Sequence, residues 1–197
     1  TAIGNYVLKQ ACLQNISWAN KGLRPLNVSV NISASQFHRA NFVQNVEKIL
    51  LETGLHPSRL NLEITENVAM KNISYIQDTI SKLENLGLKI SIDDFGTGYS
   101  SLSYLKRFHV HTLKIDQSFI RDVTRDDDNA AIVTALIAMS HQLKIQPLAE
   151  GVENEEQLYF LKQQGCSYIQ GYVFSKPLPY NEFEQLLIED RNLFSAV

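Results

Sequence analysis

Six short segments of this chain alternate apolar and polar residues with a period of two, and each is followed by a helical or looped stretch; few folds accept that combination. The segments span residues 26–33, 60–66, 88–94, 112–116, 146–153 and 168–174. Between them, Phe42, Val46, Ile49 and Leu50, then Ile73, Ile76, Ile80 and Leu83, then Ile132, Val133, Leu136 and Met139 recur at helical spacing. Gly54, Gly87 and Gly165 stand where such helices should stop. A further apolar periodicity opens with Ile3, Val7 and Leu8 and runs toward Ile16, predicting a helix ahead of the first strand. Strands that alternate with helices are expected to be parallel, because each helix must cross back over the sheet.

The alternation narrows the architecture. Strands of a doubly covered parallel sheet read as nearly continuous apolar runs, since both faces are buried. Here Val28, Val30 and Ile32 share one face and Asn27, Ser29, Asn31 and Ser33 the other. Asn61, Glu63 and Thr65 likewise oppose Leu60, Leu62 and Ile64, and Lys89, Ser91 and Asp93 oppose Leu88, Ile90 and Ile92. Thr112, Lys114 and Asp116 continue the polar face. The expected architecture is an α/β, TIM-barrel-like (β/α) barrel: apolar outside under its helices, and polar inside toward a site at the C-terminal strand ends.

Composition excludes several classes. With 197 residues, 44% hydrophobic and 20% charged, the chain fits one domain with a sizeable core. Cys12 and Cys166 lie far apart without metal-type spacing, which argues against a disulfide framework or a zinc site and for a reducing, cytoplasmic setting. No apolar run reaches membrane-spanning length. A net charge of −3 with scattered Lys and Arg argues against tracking polymeric nucleic acid.

The polar residue near the end of each strand is Asn31, Glu63, Asp93, Lys114, Glu150 or Gln170, with Asp94 directly after Asp93. Several carboxylates at one barrel end repel one another and resist desolvation unless cations join them. The donors are all oxygen, which points to Mg²⁺ or Mn²⁺. Adjacent Asp93 and Asp94 should diverge, one bridging two ions and the other serving the second, a two-metal arrangement suited to phosphoryl chemistry. Taken singly, any of these residues could be a cap or a surface ion pair. Lys114 could equally be a structural partner or a Schiff-base lysine, although an aldolase-like site needs fewer carboxylates. His109 and His111 have metal-like spacing but precede their strand, and belong at the opposite barrel end. Asp126, Asp127 and Asp128 read as a solvated loop with a helix cap.

Six motifs then carry a resemblance: Val30-Asn31-Ile32-Ser33, Glu63-Ile64-Thr65-Glu66, Asp93-Asp94-Phe95-Gly96-Thr97-Gly98, Leu113-Lys114-Ile115-Asp116, Ala149-Glu150-Gly151-Val152-Glu153 and Gln170-Gly171-Tyr172. In order and spacing the chain resembles the EAL domain family of cyclic di-GMP phosphodiesterases. The resemblance implies hydrolysis of cyclic di-GMP to linear pGpG with two divalent cations. It assigns Asn31, Glu63, Asp93, Asp94 and Glu150 to the metal site, Lys114 to the attacking water, and Gln170 to orienting the site. Asp116 and Glu153 are implied for guanine or loop positioning. Glu66 is implied to anchor the loop at residues 95–101, which in the family links metal binding to dimer contacts.

An EAL domain also has two earlier strands and a helix, and the Glu of its Glu-Ala-Leu motif on the second strand supplies a metal ligand. Residues 1–197 contain no counterpart. The expectation is therefore six of eight strands, an EAL-type domain without its N-terminal strand–helix–strand segment, with little activity for this stretch alone. Two readings follow: a phosphodiesterase, or a non-hydrolytic module that binds cyclic di-GMP or a protein partner. Homodimerisation and fusion to sensory or diguanylate cyclase domains are the partner relations the family implies.

Overall fold

Each alternating segment forms a strand of one parallel sheet whose spatial order is its sequence order. The computed structural model describes residues 2–69, 72–98, 105 and 107–189. Helix α1 (Ala2–Asn20) precedes β1 (Val28–Asn31), and α2 (Ala34–Phe37) and α3 (Phe42–Thr53) lead to β2 (Leu60–Thr65). The short α4 (Glu66–Ala69) and α5 (Ile73–Asn85) follow, then β3 (Lys89–Phe95) and β4 (Thr112–Ile115). Helices α6 (Gln117–Arg121) and α7 (Asp127–Gln142) connect to β5 (Gln146–Glu150), α8 (Glu155–Gln163) to β6 (Tyr168–Gln170), and α9 (Tyr180–Ile188) comes last. Six curved parallel strands with helices outside make a half-barrel of α/β class, as the alternation predicts.

The two strand faces separate as expected. Leu60, Leu62, Ile64, Ile90, Ile92, Leu113 and Ile115 are fully buried on the outer face, in one core with Val46, Ile76, Leu83, Val133 and Leu161 from the helices. Each such side chain contributes about 1.5–3 kcal/mol on burial. The inner face carries the polar set. In its lower layer, Asn61 Nδ2 donates to Ser29 Oγ at 2.8 Å, and Ser91 Oγ donates to Asn61 Oδ1 at 2.9 Å.

Local signals place the boundaries. Gly54 ends α3 at φ 71°, a left-handed conformation that costs glycine little, and its N–H reaches the Leu50 carbonyl. Asp126 caps α7 by accepting from the N–H groups of Asp128 and Asn129, so the acidic run is a helix start. The fifth strand stops at Glu150, short of residue 153, because Gly151 turns the chain at φ 68°. The sixth stops at Gln170: beyond it the chain folds back on Val152, whose N–H donates to the Gln170 carbonyl and whose carbonyl accepts from Val173.

Helix α1 forms over the expected stretch, but of the residues that open its periodicity only Leu8 is buried. Ile3 and Val7 are exposed, because the face turned inward is that of Leu8, Cys12 and Asn15. No helix among the described residues is long and apolar enough to cross a membrane.

Candidate active site

The inner polar face ends at a cavity of about 630 Å³ at the C-terminal ends of the strands. Asn31, Glu63, Asp93, Asp94, Lys114, Asp116, Glu150, Glu153 and Gln170 all line it. The registers explain why: Asn31 pairs with Glu63, Thr65 with Asp93, and Glu150 with Gln170, so parallel neighbours present side chains at matching heights. A cavity of about 800 Å³ opens at the other strand ends, bordered by Lys89, His109 and His111. It is the larger of the two, yet among the described residues only Glu63 and Glu84 bring carboxylates to it, and the chemistry belongs to the smaller one. The two histidines thus sit away from the acidic cluster.

Lys114 is the hub. It is 3% exposed, and its Nζ lies 2.8 Å from Glu63 Oε2, 2.9 Å from Asp93 Oδ1 and 2.8 Å from Glu150 Oε1. Three N–H donors meet three carboxylates, the full donor capacity of an ammonium. Asp94 adds a fourth carboxylate beside them, leaving the ionised cluster at a formal −3.

Asp93 and Asp94 do not diverge as adjacent strand residues should. Ile92 pairs with Leu113 and Phe95 with Ile115, so three steps on β3 oppose two on β4, an irregularity of the bulge type. Asp94 takes φ 54°, a left-handed conformation that Asp adopts more readily than most residues. The bulge returns its carboxylate to the inner side, where oxygens of Asp93, Asp94 and Glu150 all lie within 4.8 Å of one another. Strand alternation alone misses this, because an extra residue resets the period.

The electrostatics follow from crowding. Burial works against the Lys114 charge, but the hydrogen bonds to Glu150, Glu63 and Asp93 override it and hold its pKa above the ordinary lysine value. Burial pushes the Glu150 carboxyl up to about 7; Lys114 opposes this and the negative Asp93 reinforces it. Asp94 is also raised, by burial first and then by the charges of Asp93 and Asp116. The two ends of the Lys114–Glu150 pair thus shift unequally, the lysine toward charge and the glutamate toward neutrality. One ammonium shared by three carboxylates gives that outcome, and the charged Lys114 is the firmer of the two. An all-oxygen cluster with excess negative charge has the donors and spacing to hold a divalent cation.

The remaining residues act around this centre. Glu66, 1% exposed, accepts from the Gly96 N–H at 3.0 Å and so pins the chain just after Asp94. A Cβ on Gly98 would come within 2.8 Å of Glu66 Oε1, so the glycine permits that approach. Residues 99–101 of the loop that Glu66 is implied to anchor lie outside the described residues. Asp116 is engaged as the α6 cap, accepting from the Ser118 N–H at 2.9 Å. Asn31, Glu153 and Gln170 are exposed at the rim.

Two features escape the sequence reading. Tyr172, Phe174, Lys176 and Phe183 form another wall of the cavity, with Lys176 Nζ 5.6 Å from the Tyr172 ring centroid. Tyr172 and Phe174 fall in the alternating segment at 168–174, so the sequence flags that stretch without showing that its side chains wall the cavity. Gln157, 3% exposed, accepts from the N–H groups of Glu153 (2.7 Å) and Asn154 (3.3 Å) and donates to the Ile120 and Arg121 carbonyls. It ties the loop after Glu150 to α6, which follows Asp116. At the sequence level it shows only as the third residue of a helix-capping pattern.

Comparison with known proteins agrees with this geometry. The EAL domain family model matches residues 1–177. The signaling protein YkoW of Bacillus subtilis is 46% identical over 95% of this chain and 23% of its own length. The bifunctional diguanylate cyclase/cyclic di-GMP phosphodiesterase MucR of Pseudomonas aeruginosa is 45% identical over 94% of this chain and 27% of its own. The chain therefore spans about a quarter of the length of these relatives. The crystal structure of the EAL domain of Mycobacterium smegmatis DcpA superposes with a TM-score of 0.91 at 39% identity, covering 96% of this chain and 85% of that one. By family match, relatives and fold, this chain belongs to the EAL domain family.

Proposed function

We propose that this protein hydrolyses cyclic di-GMP to linear pGpG in bacterial second-messenger signalling. The observation that carries the reading is Lys114 held by Glu63, Asp93 and Glu150 at the C-terminal strand ends, with Asp94 turned in beside them. In the reaction a P–O bond to water forms, the P–O3′ bond breaks, and the 3′ oxygen gains a proton. Asn31, Glu63, Asp93, Asp94 and Glu150 would hold two divalent cations, Mg²⁺ or Mn²⁺. When bound, such ions lower the pKa of water and neutralise charge on the phosphoryl oxygens.

The chain's own residues do the rest. Lys114 stays protonated and, once the carboxylates have other cationic partners, turns its N–H groups to the attacking water and fixes its approach. Gln170, at the rim beside Glu150, orients the site. Asp116 and Glu153 border the same cavity, which supports a role for them in guanine contact or loop positioning. Glu66 holds the loop after Asp94 in register with the cluster. The same reading makes the protein cytoplasmic and homodimeric, with sensory or diguanylate cyclase domains in the same polypeptide.

The non-hydrolytic alternative is not favoured, because Asp93, Asp94 and Lys114 are all present and converge. The test is turnover of cyclic di-GMP by the full-length protein with Mg²⁺ or Mn²⁺, followed by chromatography. Formation of pGpG that stops on chelation is expected. Binding of cyclic di-GMP without any pGpG would overturn the phosphodiesterase reading.

A further inference from the structure

Below the acidic cluster lies a second layer of inner-face side chains that the proposed reaction does not use. Ser29, Asn61 and Ser91 stand two residues before Asn31, Glu63 and Asp93 on β1, β2 and β3. Strand periodicity puts each on the same face as the residue above it, one step lower. The register sets Ser29 beside Asn61, but on β3 it pairs Asn61 with Lys89 and Glu63 with Ser91, so Asn61 reaches Ser91 diagonally, toward the height of Glu63. Both contacts are short: Asn61 Nδ2 to Ser29 Oγ at 2.8 Å, and Ser91 Oγ to Asn61 Oδ1 at 2.9 Å.

The chain of bonds runs across three strands in one direction, from hydroxyl to amide to hydroxyl. Ser91 is fully buried and Asn61 partly so, and an apolar pair would fill this space without polar cost. The layer also lies between the two cavities: Ser29, Asn61 and Ser91 border the lower one, Asn31 and Asp93 the upper, and Glu63 both. The backbone ladder sets the distance between β1, β2 and β3, and within that frame the two bonds fix the spacing of the inner-face side chains under the carboxylates. Dispersion contacts alone would leave that spacing softer, because they have no preferred direction.

We propose that Ser29, Asn61 and Ser91 are positioning residues for the metal site: their bonded row holds Asn31, Glu63 and Asp93 at the separation a divalent cation requires. The inference rests on the metal-dependent reading above and deepens it. Partners hydrogen-bonded to metal ligands typically change metal affinity by about 10- to 100-fold, and a row that acts through the strands without bonding a ligand belongs at the lower end of that range.

The test is Mn²⁺ binding by calorimetry on the full-length protein, without substrate, together with the thermal midpoint in metal-free buffer. Wild type, Asn61→Leu, Ser29→Ala and Ser29→Thr are compared. Asn61→Leu keeps the branched shape and the heavy-atom count while removing both bonds, and should weaken Mn²⁺ binding about tenfold. Ser29→Ala removes one bond at an exposed position and should weaken binding less. Ser29→Thr keeps the hydroxyl and should bind as wild type does. Wild-type affinity in both Asn61→Leu and Ser29→Ala overturns the proposal, as does a loss in Ser29→Ala matched by the same loss in Ser29→Thr. Should Asn61→Leu fail to fold, the contrast between the two Ser29 variants decides. Absence of Mn²⁺ binding in the wild type would instead strike the metal-dependent reading itself.

Discussion

Lys114 Nζ lies 2.8 Å from Glu150 Oε1 in a site where the lysine is almost wholly buried, and the same ammonium also serves Glu63 and Asp93. Lys114→Met should abolish pGpG formation. It should also leave three buried carboxylates without their counter-charge, a loss of about 3 to 5 kcal/mol in metal-free buffer. Chemical denaturation with and without Mn²⁺ checks this: the deficit should shrink when Mn²⁺ is added. A variant with near-normal turnover would sink the role assigned to Lys114.

The raised Glu150 carboxyl predicts a pH dependence with a definite sign. Its folded-state pKa, about 7, lies above the ordinary glutamate value of 4.5. The folded protein thus holds a proton that the unfolded chain releases, so metal-free stability should fall as pH rises from about 4.5 to 7 and level off above. Metal binding needs the ionised form, so Mn²⁺ affinity should move the opposite way and be about tenfold weaker at pH 6 than at pH 8. Calorimetric titration at the two pH values measures it, and equal affinities would remove Glu150 from the ligand set.

Glu66 accepts from the Gly96 N–H at 3.0 Å, a backbone contact to the loop after Asp94. Glu66→Ala should cost about 1 kcal/mol by leaving that partly buried donor without its acceptor, and should weaken Mn²⁺ binding because Asp94 is two residues from Gly96. Glu66→Gln keeps an oxygen at the same place and should retain most of the stability. Thermal midpoints and Mn²⁺ titrations of the two variants separate anchoring from charge.

Gln157 joins two loops of the site while touching no substrate position. Gln157→Leu would strand the Ile120 and Arg121 carbonyls and the N–H groups of Glu153 and Asn154, at a cost of about 2–3 kcal/mol. Because the loops it joins carry Asp116 and Glu153, the expected kinetic effect is a raised KM for cyclic di-GMP with kcat changed less. A fall in kcat at constant KM would show that these loops serve the chemical step instead.

The residues themselves determined a good deal. Alternation in β1 to β4 fixed which side chains face inward, because the strand period is two and one face must be covered by helices. Parallel order followed from the helix after each strand, and the polar strand ends identified Asn31, Glu63, Asp93, Lys114, Glu150 and Gln170 as neighbours. Gly54 marked a real helix end, because a left-handed residue is needed there.

Tertiary structure decided what no local period encodes. Asp94 joins Asp93 only because β3 gains a residue against β4, a property of two strands together. Lys114 became the hub of three carboxylates through the register of β2, β3 and β5 around it, and its charge state depends on that crowding and burial. Gln157 and the Ser29–Asn61–Ser91 row looked like ordinary helix and strand positions, since their partners lie about 30 or more residues away. Sequence periodicity reports which face a side chain takes. Which groups then meet, and at what distance, depends on strand register and on packing between elements remote in the chain.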